Sequence, residues 1–120
     1  MITAGNASQF AEEWIAAWNN HDLDRIVAHY ADDIIFSSPL VASVGGVASG
    51  TLSGREELRV YFKAALSKFP SLRFELRTVF HGTDALTIVY KSVNDLLAAE
   101  TMLLSEDFQV KRVWAQYDKQ

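Results

Sequence analysis

Phe10, Trp14 and Trp18 recur at four-residue steps near the start of the chain, with Ala11, Ile15 and Ala17 beside them. That period predicts a helix over about Ala7–Asn19 with one apolar face. Asn6 or Ser8 is placed to cap its start. Asn19 and Asn20 end it, and Asp22 is a cap for a short second helix carrying Leu23, Ile26, Val27 and Tyr30. Ile34 to Phe36 is expected to start a strand that ends at about Ser38. The third helix is the best marked. Ser53-Gly54-Arg55-Glu56 has the spacing of a capping box, in which serine and glutamate satisfy each other's backbone N–H groups. Leu58, Tyr61, Phe62, Ala65, Leu66 and Phe69 then fall on one helical face, and Pro70 stops the run.

From there the period changes from helical to alternating. Phe74, Leu76, Thr78 and Phe80 oppose Arg73, Glu75, Arg77 and Val79; Leu86, Ile88 and Tyr90 oppose Ala85, Thr87 and Val89. Leu96 to Leu104 is apolar nearly throughout, broken by Glu100 and Thr101, and Val110 to Tyr117 closes the series. Three helices and then hairpins predict a single α+β domain over 1–120, with the helices on one face of a curved antiparallel sheet. A strand apolar on both faces needs cover on both. Helices supply one cover. A second subunit is expected on the other, with Trp114, opposite in phase to Val113 and Ala115, in a homodimer contact through the sheet.

Lys and Arg number 11 against 15 Asp and Glu, and the formal charge is −4. The basic residues are scattered, so no stripe follows a phosphate backbone, and nucleic acid is not an expected partner. The chain has no cysteine, which excludes disulfides and thiolate chemistry and fits a reducing compartment. No signal-peptide pattern opens the chain and no apolar stretch reaches the roughly 20 residues of a bilayer span. The expected setting is cytoplasmic, with no membrane partner. His21, His29 and His81 have no metal-ligand spacing, and Asp32 and Asp33 point to opposite faces of an extended chain. Val-Gly-Gly-Val-Ala-Ser-Gly does not match the dinucleotide fingerprint. No metal and no cofactor is expected.

Taken in order, WIAAWNNHDLDRIVAHYADDIIFSSP, LSGREELRVYF and VKRVWAQYD resemble the SnoaL-like and ketosteroid isomerase branch of the nuclear transport factor 2-like superfamily. The resemblance covers nearly the whole chain. It implies a cone in which helices and a bent sheet enclose one apolar pocket. Members include isomerases, polyketide cyclases, dehydratases, hydrolases and non-catalytic binding or assembly modules, so the resemblance implies a fold more firmly than an activity. Ketosteroid isomerase chemistry uses an aspartate base with a tyrosine and a protonated aspartate as oxyanion hole. Matched to that pattern, Ser38 stands at the base position, Trp14 at the tyrosine and Glu100 at the protonated acid.

Glu100 is therefore the candidate catalytic acid or base. A charge inside LLAAETMLL is costly to bury unpaired. Either it lines a pocket with a raised pKa, or it pairs with a neighbour such as Arg112 or Lys91, or it faces water near a strand end. Ser38 carries no base of its own and suits a ligand hydrogen bond or a strand-end cap better than nucleophilic attack. Trp14 can donate one indole N–H to a ligand carbonyl or serve as pocket wall. Trp18, Phe36, Tyr61, Tyr90, Val113 and Tyr117 complete the expected substrate-binding set. Three tryptophans, four tyrosines and seven phenylalanines suit a wide apolar cavity. The uncharged loop at 39–52 is either a flap over its mouth, a small hairpin turning at Gly45–Gly46, or a surface or dimer loop. The function this implies is binding of a small, largely apolar molecule, with isomerase, cyclase or dehydratase chemistry if an enzyme. The alternatives are a ligand-binding or assembly module that has lost the aspartate base, or an adaptor whose cone is filled by its own side chains.

Overall fold

In the computed structural model, which describes residues 1–119, the first apolar period forms α1, Ala4–Asn19. The helix starts three residues earlier than the sequence suggested. Its cap is Thr3, whose hydroxyl accepts from the Asn6 amide at 3.2 Å while the Thr3 amide donates to Asn6 Oδ1 at 2.7 Å. Asn6 thus closes a reciprocal box from the third helical position instead of capping the helix itself. Asn19 ends α1 and ties it to the sheet side of the core: its amide group exchanges two hydrogen bonds with the Phe74 backbone, at 2.7 and 3.0 Å. Asp22 caps α2, Leu23–Val27, as expected.

Tyr30 corrects the expected second helix. That helix stops at Val27, and Tyr30 opens β1, Tyr30–Ser37, paired with Val110. The loop at 39–52 is not a hairpin. It holds a one-turn helix α3, Pro39–Ser43, and a short strand β2, Thr51–Ser53, which pairs with β1. Val41 from α3 is fully buried. The helix α4, Arg55–Lys68, lacks the expected capping box, because Ser53 is held in β2 against Ile35. Gly54 is the N-cap, at φ 91°, a left-handed conformation that suits glycine. The Ser53 amide donates to Glu57 Oε1 at 3.0 Å, so Glu57 and not Glu56 is the side chain that reaches back. Arg55 anchors α4 to the start of β1 through the Tyr30 carbonyl and an ion pair with Asp32 at 3.1 Å.

Four strands follow: β3 Glu75–His81, β4 Ala85–Lys91, β5 Leu97–Leu104 and β6 Val110–Tyr117. The sheet runs β2-β1-β6-β5-β4-β3 and is curved, with the helices α1 and α4 packed against it. It is a mixed sheet, since β1 and β6 are parallel while every other pair is antiparallel. In β3 the register shifts between Leu76 and Thr78, leaving Arg77 as the extra residue of a bulge. The bulge reverses the alternation beyond it. Val79 packs on the core and Phe80, expected inside, is 63% exposed. Among the described residues no helix is long and apolar enough to cross a membrane.

Candidate functional site

On β5 the side chains of Ala98, Glu100, Met102 and Leu104 point to the helices and are buried, while Leu97, Ala99, Thr101 and Leu103 point away. Register then decides what surrounds the carboxyl group. Glu100 lies between Ile88 and Ala115, and the next row sets Ala98 between Tyr90 and Tyr117. Two small residues, Ala98 and Ala115, leave space beside Glu100 that two tyrosines flank. Met102, Val113 and Leu86 form the row on the other side. Val113 belongs to that closed core row and does not line the cavity where it was expected.

Glu100 is 4% exposed, and its Oε2 has no hydrogen-bond partner among the described residues. Burial pushes the carboxyl up from its ordinary 4.5 to about 8. The two cations that the sequence offered as partners are engaged elsewhere. Lys91 pairs with Asp95 at 3.2 Å. The Arg112 guanidinium donates to the Val113 carbonyl at 2.7 Å and to Ser37 Oγ at 3.1 Å, and lies 4.5 Å over the Trp114 ring.

Four tyrosines share this environment. Burial raises the pKa of Tyr30, Tyr61, Tyr90 and Tyr117, and the charge of Glu100 raises each further. All four therefore stay neutral hydroxyl donors across ordinary pH. Trp14 is bound into this group: its Nε1 donates to the Tyr30 hydroxyl at 3.0 Å. The single indole proton of Trp14 is thus spent within the protein, and Trp14 serves as wall instead of ligand donor. Tyr30 was not among the sequence candidates, because its spacing from Ile26 reads as helical.

Ser38 is buried at the end of β1, as the N-cap of α3. Its Oγ accepts from the Leu40 amide at 3.2 Å, and its nearness partly offsets the rise in the pKa of Tyr61 and Tyr117. The histidines are occupied away from it. His21 Nε2 meets the Leu72 carbonyl at 2.8 Å, His29 Nδ1 meets the Arg25 carbonyl at 2.8 Å, and His81 is exposed on β3. This is a capping and positioning serine without a base. Among the described residues no three of His, Asp and Glu gather as metal ligands.

Trp14, Trp18, Phe36, Tyr61, Tyr90, Glu100 and Tyr117 do converge on one cavity under the helices. Leu40 and Val44 from α3 and its C-cap form part of its wall, so the segment after β1 roofs the site. Phe69, Leu72, Ser92 and Val93 line both the cavity and an outer cleft, which marks its mouth. The cavity is narrower than the count of aromatic rings suggested. The cavity volume is about 40 Å³, small beside the roughly 300–1,000 Å³ of ordinary ligand pockets. The rings fill the cone by packing on one another: Trp14 stacks on Phe74 at 5.8 Å, Phe74 meets Tyr90 at 4.6 Å, and Trp18 sits edge-on to Phe62 at 4.8 Å. A ligand larger than a few waters has to displace part of that wall.

The family profile of the SnoaL-like domain matches residues 11–101. Among solved structures, a SnoaL-like protein of unknown function from Burkholderia thailandensis E264 is 40% identical, covers 98% of each chain and superposes with a TM-score of 0.93. A putative isomerase of the SnoaL-like family from Agrobacterium tumefaciens C58 is 20% identical over 96% of this chain and 99% of its own, with a TM-score of 0.76. SalBIII, an epoxide hydrolase/cyclase-like enzyme of pyran ring formation in the polyether salinomycin, is 15% identical over 98% and 94%, with a TM-score of 0.78. The latter two likenesses establish the fold alone. No curated protein matches the sequence significantly.

Proposed function

We propose, from the premise that this chain belongs to the SnoaL-like family, that it binds a small, largely apolar carbonyl compound in the cone cavity and acts on it by acid/base chemistry through Glu100. The observation that carries this reading is the buried Glu100 carboxyl on the cavity wall, with one oxygen unpartnered among the described residues. With its pKa at about 8, roughly nine in ten such groups are neutral at pH 7. A neutral carboxyl donates a hydrogen bond to a carbonyl oxygen and stabilises the charge that develops there as the adjacent C–H bond gives its proton to a water molecule, so Glu100 is the acid and solvent water the base. Tyr61, Tyr90 and Tyr117 line the same cavity as neutral hydroxyls. The isomerase and cyclase relatives support this class of reaction. The substrate is small because the cavity is.

A second reading has an observation of its own. Ser38, where the resemblance expects an aspartate base, is committed to capping α3. A binding module without catalysis is consistent with that commitment. Deuterium exchange at the α-carbon of cyclohexanone in D2O, followed by NMR, separates the two. The enzyme reading expects acceleration that Glu100→Gln removes while the fold persists. Binding with exchange no faster than in buffer would leave only the module.

A homodimer through the outer sheet face belongs to the same proposal. Trp114 on β6 and Leu97 on β5 are each 42% exposed there, an apolar pair that a second copy would cover. Sedimentation velocity of the chain and of Trp114→Glu tests it. A cytoplasmic setting is also proposed, from the cysteine-free composition, and cell fractionation checks it.

A further inference from the structure

Two side chains on the cavity wall hold a buried polar atom without a partner among the described residues: Glu100 through Oε2 and Trp18 through Nε1. Trp18 is 5% exposed and lies one helical turn beyond Trp14 on α1. The two indoles differ in their chemistry. Trp14 gives its proton to Tyr30, whereas Trp18 gives its proton to no described residue. Packing keeps Trp18 from turning to find an acceptor, because its ring is wedged edge-on against Phe62 at 4.8 Å and tilted against Phe74 at 5.3 Å. Burying an unmet N–H is costly, so a ligand atom that accepts from it recovers energy that apolar contact alone does not supply.

We infer that the cavity selects a small compound with two separate acceptor oxygens, one taking the Trp18 indole N–H and the other facing Glu100. The class is the one-ring or short-chain diketones and hydroxyketones. The inference rests on the proposed reading of the cavity as a ligand site and adds the second anchor to it. Leu40, Val44, Phe36 and Phe62 supply only apolar wall, so a ligand's polar atoms find their partners at the two anchors, the tyrosine hydroxyls and Ser92 at the mouth. Trp18 is then a specificity-determining residue. It rewards the second oxygen and leaves the chemistry at Glu100 untouched.

The test uses the full chain labelled with 15N, in which the three tryptophans give three indole N–H signals. Trp18→Phe assigns its signal by loss. Cyclohexane-1,4-dione and cyclohexanone are titrated in turn. The expected result is a saturable shift of the Trp18 signal with the dione and about tenfold tighter binding of the dione. Trp18→Phe removes that advantage, and Glu100→Gln weakens both ketones. Equal binding of the two ketones, with the Trp18 signal unmoved, overturns the second anchor and leaves the cavity reading standing. Failure of both ketones to saturate the protein overturns the cavity reading and the inference together. If Trp18→Phe does not fold, the Trp18 signal is assigned by elimination from Trp114→Phe and Trp14→Phe, and the wild-type shift is then read alone.

Discussion

Trp14 Nε1 donates to the Tyr30 hydroxyl at 3.0 Å, and both side chains are fully buried. This bond joins the middle of α1 to the first residue of β1. It also sets what Tyr30 can do, since a hydroxyl that already accepts a hydrogen bond is a better donor through its own proton. Trp14→Phe keeps one aromatic ring but deletes the donor together with the pyrrole half of the indole. The expected loss is about 1–3 kcal/mol of stability, from a buried hydroxyl left without its donor. Urea unfolding measures it, and a midpoint unchanged from wild type would show that the bond is replaced without cost.

Glu100 makes stability depend on pH. Its pKa is raised from 4.5 to about 8 on folding. Between those values the folded chain holds a proton that the unfolded chain releases, so stability is greatest below the unfolded value and falls as pH rises through the folded one. The slope is about 1.4 kcal/mol per pH unit between the two values and vanishes above about 8. Glu100→Gln removes this contribution. The stability difference between wild type and variant, measured by urea unfolding from pH 5 to pH 9, should swing in favour of the variant as pH rises. A difference constant across that range would mean that the carboxyl is not buried neutral. The same proton sets the chemistry, and exchange that needs neutral Glu100 declines above pH 8.

Much of this site is legible in the sequence. Phe10, Trp14 and Trp18 announced the buried face of α1 by spacing alone, and Glu100 stood out as a lone charge in an apolar strand. What was not legible depends on pairing between distant parts of the chain. Tyr30 follows Ile26 at helical spacing, and only its pairing with Val110 makes it a strand residue. The bulge at Arg77 turns Phe80 outward, yet nothing local distinguishes Arg77 from its neighbours. The cavity's width was misjudged for a different reason. Composition counts aromatic rings, but whether they enclose space or stack on one another is decided by contacts such as Trp14 on Phe74.

Gly45 is where the roof of the cavity meets its wall. A Cβ at this position would lie 2.7 Å from the Val41 carbonyl oxygen and 3.0 Å from Tyr61 Cδ1. Backbone on one side leaves α3 or Tyr61 to move. Gly45→Ala is expected to cost about 1–3 kcal/mol, the range for overpacking, and to speed hydrogen exchange at Val41 and Val44. Unchanged exchange together with unchanged stability would mean that the segment from Ser38 to Gly50 yields without strain.

Ser38 separates positioning from catalysis. Its hydroxyl caps α3 through the Leu40 amide and lies near Tyr61 and Tyr117, but has no base to activate it among the described residues. Ser38→Ala should therefore cost about 1 kcal/mol through the lost cap. Cyclohexanone exchange should slow at most severalfold, because Glu100 keeps its environment. Ser38→Thr keeps a capping hydroxyl without adding a charge or a base, and the comparison isolates the cap. If Ser38→Ala abolished exchange as completely as Glu100→Gln while both variants stayed folded, the serine would be a reacting group and the assignment of chemistry to Glu100 alone would fail.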